Sequence, residues 1–175
     1  MTTTPLRAKA PGRQLTTPAP GSGGTPARRA PGAGVASFSP GALWLAEQAG
    51  YPQPNWSCNP WARGPLADIP LGRALAVVRV PTAAAATAAE LLRDWEVPPS
   101  PVLDAGHVWI FLVHPGMRDG RDIPGGALLT GAAQEILRCP EPGQAGVPPR
   151  TWAVPPDGSG VLLDPWTLAD ALRTS

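Results

Sequence analysis

The pattern of the chain changes at residue 38. Residues 1–37 mix Pro, Gly, Thr and Ala without apolar periodicity, and carry Arg7, Lys9, Arg13, Arg28 and Arg29 but no acid. Such a segment buries too little apolar surface to offset the entropy of ordering it. It is expected to be a disordered basic tail. A folded body must then lie within residues 38–175, enough for one domain of ordinary size. The 25 prolines and 20 glycines, more than a quarter of 175 residues, favour a loop-rich fold for that body. Gly21-Ser-Gly-Gly24 has no strand before it and no helix after it, so it is not read as a phosphate loop.

The net charge of +1 hides an asymmetry. Five of the fourteen cations lie in the tail, leaving nine against all thirteen acids in the body, a balance of −4. A domain that binds nucleic acid by itself is expected to carry a basic footprint, and here only the tail offers one, as a salt-sensitive attraction for DNA or RNA. The two cysteines, Cys58 and Cys139, show no CxxC and no metal-ligand spacing. They are expected to be reduced thiols, with a single disulfide as the alternative. No apolar run reaches the ~18 residues needed to span a bilayer. The twin Arg28-Arg29 is followed by Ala30-Pro-Gly-Ala-Gly34 rather than an apolar stretch. The expected compartment is the cytoplasm, without membrane association.

Several elements announce themselves. Ser39-Pro40 starts a helix that Gly50 ends, with Leu43, Ala46 and Gln48-Ala49 as its apolar stripe. Residues 51–70, with Trp56, Trp61 and five prolines, read as an irregular loop. Ala74–Val80 is a continuous β-prone run and predicts a buried strand ended by Pro81. Thr82 is expected to cap a helix through Trp95, with Ala85, Ala88, Ala89, Leu92 and Trp95 on one face. A strand over 101–104 completes a strand–helix–strand unit. Asp104-Ala-Gly106 then reads as a hairpin turn into His107–Val113, the strongest strand in the chain. After the charged loop 114–125, short strands are expected near 127–130, 135–138 and 150–154. Asp157-Gly-Ser-Gly160 is a turn, and Asp164-Pro165 caps a closing helix that Arg173 suits at its C-terminal end. The fold class is therefore α+β, a small mixed or antiparallel sheet with flanking helices.

Chemistry-bearing motifs are sparse. There is no GxSxG, and His107 and His114 are the only histidines, which leaves little for a Ser–His–Asp arrangement. A whole strand separates them, so one shared metal is not expected. Asp119 and Asp122 share a Gly-rich loop that could ligate a hard cation but reads more simply as solvated. His107, opening the strongest strand directly after Gly106, is the most informative residue. It is either a strand-edge histidine with an ordinary hydrogen bond or an imidazole offered to a ligand.

Gly106-His107-Val108-Trp109-Ile110-Phe111 resembles the His-centred strand of the bifunctional DNA primase/polymerase N-terminal domain, of the archaeo-eukaryotic primase superfamily. Other stretches resemble the family in order. Ala42–Tyr51 is similar to its opening helix, Leu71–Val80 to its first core strand, and Leu137–Pro142 to a strand ending in paired prolines. Arg150–Pro156 is similar to the following strand with its Trp, and Leu163–Leu172 to the closing helix. The resemblance implies that His107 contacts the phosphates of a nucleotide. It also exposes departures. Active members end the first core strand with two acids that hold two divalent metals, where this chain has Arg79 and Pro81. A third carboxylate is expected before the 134–138 strand, but Gly125–Gly131 has none and Glu135 is the nearest acid.

The resemblance, with these departures, implies a degenerate primase/polymerase-like protein, acting in replication or a mobile element. It would bind nucleotide or single-stranded DNA through His107, with no catalytic residue, no metal ligand and no cofactor. Replication proteins are its expected partners, and Trp56, Trp61 or Trp109 could stack on bases. One alternative is a non-enzymatic interaction or regulatory domain. Another is an active enzyme using Mg²⁺ or Mn²⁺ on relocated carboxylates such as Asp104, Glu135 and Asp157.

Overall fold

The computed structural model of the chain describes residues 38–51, 59–72, 74–116, 123–130 and 134–175. The expected tail 1–37 lies outside the described residues, as do Trp56, Cys58, Asp119 and Asp122. The elements are α1 (Pro40–Gln48), β1 (Leu66–Pro70), β2 (Ala76–Pro81), α2 (Thr82–Asp94), β3 (Val102–Asp104), β4 (Val108–Val113), β5 (Ala127–Leu129), β6 (Ile136–Pro140), β7 (Thr151–Val154) and α3 (Pro165–Thr174). The architecture is α+β, and every paired strand is antiparallel to its neighbour.

Local chemistry explains the helix ends. At α1 the Ser39 hydroxyl accepts the Ala42 N–H at 3.1 Å and donates to the Pro142 carbonyl at 2.8 Å, so one side chain caps the helix and ties it to a loop. Gly50, with φ +85°, ends it in the left-handed conformation that glycine tolerates best. The Asp164 carboxylate caps α3 by accepting the Thr167 N–H at 3.0 Å. At α2, Pro81 occupies the cap position and no side chain caps the helix. The Thr82 hydroxyl, expected to cap it, donates instead to the Gly106 carbonyl at 2.9 Å. Ala-rich sequence carries α2 forward regardless, because alanine is the strongest helix former.

Strands β5-β2-β4-β3-β7, in that order, make a five-stranded sheet, and β1 pairs with β6 in a second sheet of two. β2 and β3 run parallel but are not neighbours, since β4 pairs with both. The unit β2–α2–β3 is thus a split strand–helix–strand crossover with the β3–β4 hairpin returning through its middle. The strand β1 falls inside the stretch expected to be an irregular loop. Its Leu-Ala-Asp-Ile core alternates inward and outward between Pro65 and Pro70, and Ala67 and Ile69 are buried. Pro70 closes it at the end of an edge pairing, where a missing N–H is tolerated.

Each face of the larger sheet covers its own core. On one side Ala76, Val78, Val80, Val102, Phe111 and Val113 meet α2 and α3, through residues such as Ala85, Ala88, Leu168 and Leu172. On the other side Val77, Leu103, Ile110 and Leu112 meet α1 and the β1–β6 sheet, through Leu45, Ile69 and Leu137. Small side chains at Ala85 and Ala88, both fully buried, let α2 lie close on the sheet. Two expected core positions face outward. Leu43 is 42% exposed because α1 turns its Gly41, Ala42, Leu45 and Ala46 stripe inward. Trp95 is 44% exposed because it stands at the C-terminal cap of α2, where the helical face ends.

The two sheets are joined by side chains rather than by a ladder. The indole N–H of Trp61 donates to the Cys139 carbonyl and that of Trp152 to the Pro140 carbonyl, each at 3.0 Å. The Arg150 guanidinium donates to the Arg138 carbonyl at 2.7 Å. Three consecutive carbonyls of β6 thereby accept from side chains outside the strand, and the Cys139 bond among them is buried, as a buried acceptor requires. Trp61, one of the tryptophans considered for base stacking, is only 7% exposed and is committed to this clasp.

Candidate functional site

The tip of the β3–β4 hairpin is built from short-range bonds. The Asp104 carboxylate accepts the Gly106 N–H at 2.7 Å, and the Ala105 N–H donates to the Val108 carbonyl at 2.9 Å. Gly106 has φ +86°, and a Cβ there would stand 3.3 Å from Pro149 Cβ, so both backbone and packing favour glycine. His107 follows at the tip and is exposed.

Two further bonds fasten this tip to α2. The Thr82 N–H donates to the His107 carbonyl at 3.1 Å, beside the bond from the Thr82 hydroxyl to Gly106. The register brings the end of β2 alongside as well, with Pro81 opposite Val108, Val80 opposite Trp109 and Arg79 opposite Ile110. The first turn of α2 carries no side-chain cap, so its N–H groups present the positive end of the helix dipole at this corner.

The faces of the sheet separate the charges. Val78 and Val80 point to the α2–α3 side and Val77 to the α1 side. Alternation therefore sets Arg79 and Pro81 on the α1 side, where both are exposed. Among the described residues Arg79 has no ion-pair or side-chain hydrogen-bond partner, and its cross-strand neighbours are Ile110 and Ala127. Asp104 alternates with Leu103 and so belongs to the opposite side.

The other sequence candidates are dispersed. Asp104 ends β3, Glu135 precedes β6, and Asp157 follows β7. The Glu135 carbonyl accepts the Leu71 N–H at 3.0 Å. The Asp157 carboxylate is held below the usual range by its hydrogen bonds with Ser159, whose N–H donates to it at 2.8 Å. Among the described residues no three His, Cys, Asp or Glu side chains gather where they could hold a metal ion. His114 lies at the opposite end of β4 from His107, with its N–H on the Leu163 carbonyl. Cys139 is a free, fully buried thiol whose burial pushes its pKa up to about 12. Burial also raises the Glu141 carboxyl.

Trp109 is partly covered. It packs on the α2–α3 core with its ring 6.4 Å from Phe111 at a tilt of 51°. Its indole N–H is buried and has no hydrogen-bond partner among the described residues. Among the described residues, the tryptophans that stand half exposed are Trp95 and Trp166, at 44% and 49%. Neither was singled out for stacking by the sequence, and their positions at helix ends are the signal that could have marked them.

No family model matches this chain, and no curated protein or solved structure matches it. Among the described residues no helix is long and apolar enough to cross a membrane.

Proposed function

We propose that this chain is a primase/polymerase-like protein that binds a nucleoside triphosphate or the phosphates of single-stranded DNA without the two-metal site of active relatives. The observation that carries this reading is the bond between the Thr82 N–H and the His107 carbonyl. It holds the histidine beside the uncapped N-terminus of α2 and next to the end of β2. Backbone donors at a helix start favour phosphate, and an exposed imidazole adds a further donor.

The residue types at the end of β2 favour binding over metal chemistry. Arg79 and Pro81 occupy the positions at which the family resemblance implies paired acids. A guanidinium repels Mg²⁺, and proline has no ligating side chain. Among the described residues Arg79 has no counter-ion. It lies two residues before Pro81, about 7 Å along the strand, on the α1 face of the sheet, and adds positive charge to this edge without entering the α2 face.

The test is isothermal titration of a deoxynucleoside triphosphate with and without Mn²⁺. Binding is expected without the metal, and His107→Ala should weaken it roughly 10–100-fold, the worth of a charge-assisted hydrogen bond of about 1.5–3 kcal/mol. No detectable heat from the folded protein would end this reading. The second reading is a non-enzymatic interaction or regulatory domain, for which the half-exposed side chains of Ile136, Trp95 and Trp166 would serve as contact points.

A further inference from the structure

A cavity lies away from the His107 corner. It opens beside the last turn of α2 and has a volume of about 390 Å³. That falls within the range of about 300–1,000 Å³ usual for small-molecule sites. α2 has 13 residues, so this end stands about 18 Å from the first turn that meets His107.

Its walls are apolar. Leu92, Val97, Val102, Phe111, Val154 and Leu163 form them, from the helix, the segment after it, the sheet and the start of the closing turn. The Ser100 hydroxyl reaches the same wall but is already used, because it donates to the Leu112 carbonyl at 2.7 Å and accepts the Leu163 N–H at 3.1 Å. The floor therefore offers a ligand no free polar group from Ser100, and an apolar body is the best match to it.

The mouth differs in kind. Arg93 is the one charged side chain among the described lining residues, and among the described residues it has no ion-pair or side-chain hydrogen-bond partner. The nearby acids Glu90, Asp94 and Glu96 are exposed and do not line the cavity. An apolar floor with one cation at the rim matches a molecule that is apolar at one end and anionic at the other.

We infer that this cavity binds a small amphiphile with a short aliphatic or aromatic body and a carboxylate or similar anionic head paired with Arg93. The body displaces water from Leu92, Phe111 and Val154, while the head stays at the solvent edge. Binding here is independent of the His107 corner, since the two sites share no residue.

The test uses octanoate, octanol and octyltrimethylammonium as probes, titrated calorimetrically into the full chain near neutral pH. Octanoate is expected to bind saturably, and the quaternary ammonium probe more weakly than octanoate. Because Arg93 is exposed, Arg93→Gln should weaken octanoate only about three- to fivefold and leave octanol unchanged. Ala89→Phe places a ring in the cavity and should abolish binding of octanoate and octanol alike, with melting curves to establish that each variant is folded. Three results would overturn the inference. One is no saturable octanoate binding by the folded wild-type chain. Another is equal affinity for the three head groups. The last is octanoate binding that Arg93→Gln leaves intact.

Discussion

Gly41→Ala separates what a helix prefers from what its surroundings allow. Gly41 lies in the first turn of α1 with ordinary helical backbone, so alanine there should favour the helix by at most about 1 kcal/mol. The tertiary contact has the opposite sign. A Cβ at Gly41 would lie 1.8 Å from the Pro156 carbonyl oxygen and 2.5 Å from its carbon. Both neighbours are backbone, so neither can swing aside as a side-chain tip would. Relief requires α1 or the 156–160 loop to move by more than an ångström. The loop is not free to move alone, since Gly158 already approaches Pro40 closely and Ser39 holds the Pro142 carbonyl at 2.8 Å. Overpacking of this kind typically costs about 1–3 kcal/mol. At 1.8 Å from a backbone oxygen the overlap belongs to the upper part of that range, about 2–3 kcal/mol, so less the propensity gain the net loss is about 1–2 kcal/mol. For a folded unit spanning Ser37–Ser175 that corresponds to a Tm lower by roughly 4–8 °C, at about 4 °C per kcal/mol. Differential scanning calorimetry measures it directly. A variant that melts at or above the wild-type temperature would refute the close approach of α1 to Pro156.

Four further outcomes are expected. Trp61→Phe removes the donor to the buried Cys139 carbonyl and should destabilise the protein by about 1–3 kcal/mol in urea unfolding, whereas Trp152→Phe, whose bond is only partly buried, should cost less. Glu96 follows α2 with φ +58°, so Glu96→Gly should raise stability by about 1 kcal/mol, and a fall in the denaturation midpoint would contradict that strain. The Cys139 thiol has a folded pKa raised from near 9 to about 12. Above pH 9 the unfolded chain loses this proton while the folded one keeps it, so the thiol's contribution to stability should decline by about 1.4 kcal/mol per pH unit between pH 9 and 12. Cys139→Ala should flatten that slope in a pH series of melting curves, and Cys139 should resist alkylation until the protein unfolds. Asp164→Ala removes the acceptor of the Thr167 N–H and should cost about 1 kcal/mol, read as a lower urea midpoint.

The chemistry of the hairpin tip was partly legible before any coordinates. Asp104, Gly106 and the β-rich run from His107 carry their information locally, because an Asx bond and a left-handed glycine span only a few residues. The tie between His107 and Thr82 was not legible. It joins residues 25 apart, and the Thr82 hydroxyl that local rules assign to the helix cap is claimed by the hairpin. Arg79 was visible as a cation where the family resemblance implies acids, yet its lack of a counter-ion depends on what surrounds it. The clasp on β6 was hidden for the same reason, as Trp61 reaches Cys139 across 78 positions.

By itself, then, the amino-acid sequence determined the α+β class, the helix starts at Ser39 and Asp164, the strand from Val108 to Val113 and the hairpin that leads into it. These follow from backbone preferences and periodicities that act within one turn or one strand. Tertiary structure alone decided the rest. It set the strand order that inserts β4 between β2 and β3, paired β1 with β6 inside a proline-rich stretch, and rotated α1 so that Leu43 faces out. It also left Trp95 in solvent and Cys139 buried. Each of these depends on which surfaces meet after the chain has folded back on itself, and packing of that kind leaves no local period to read.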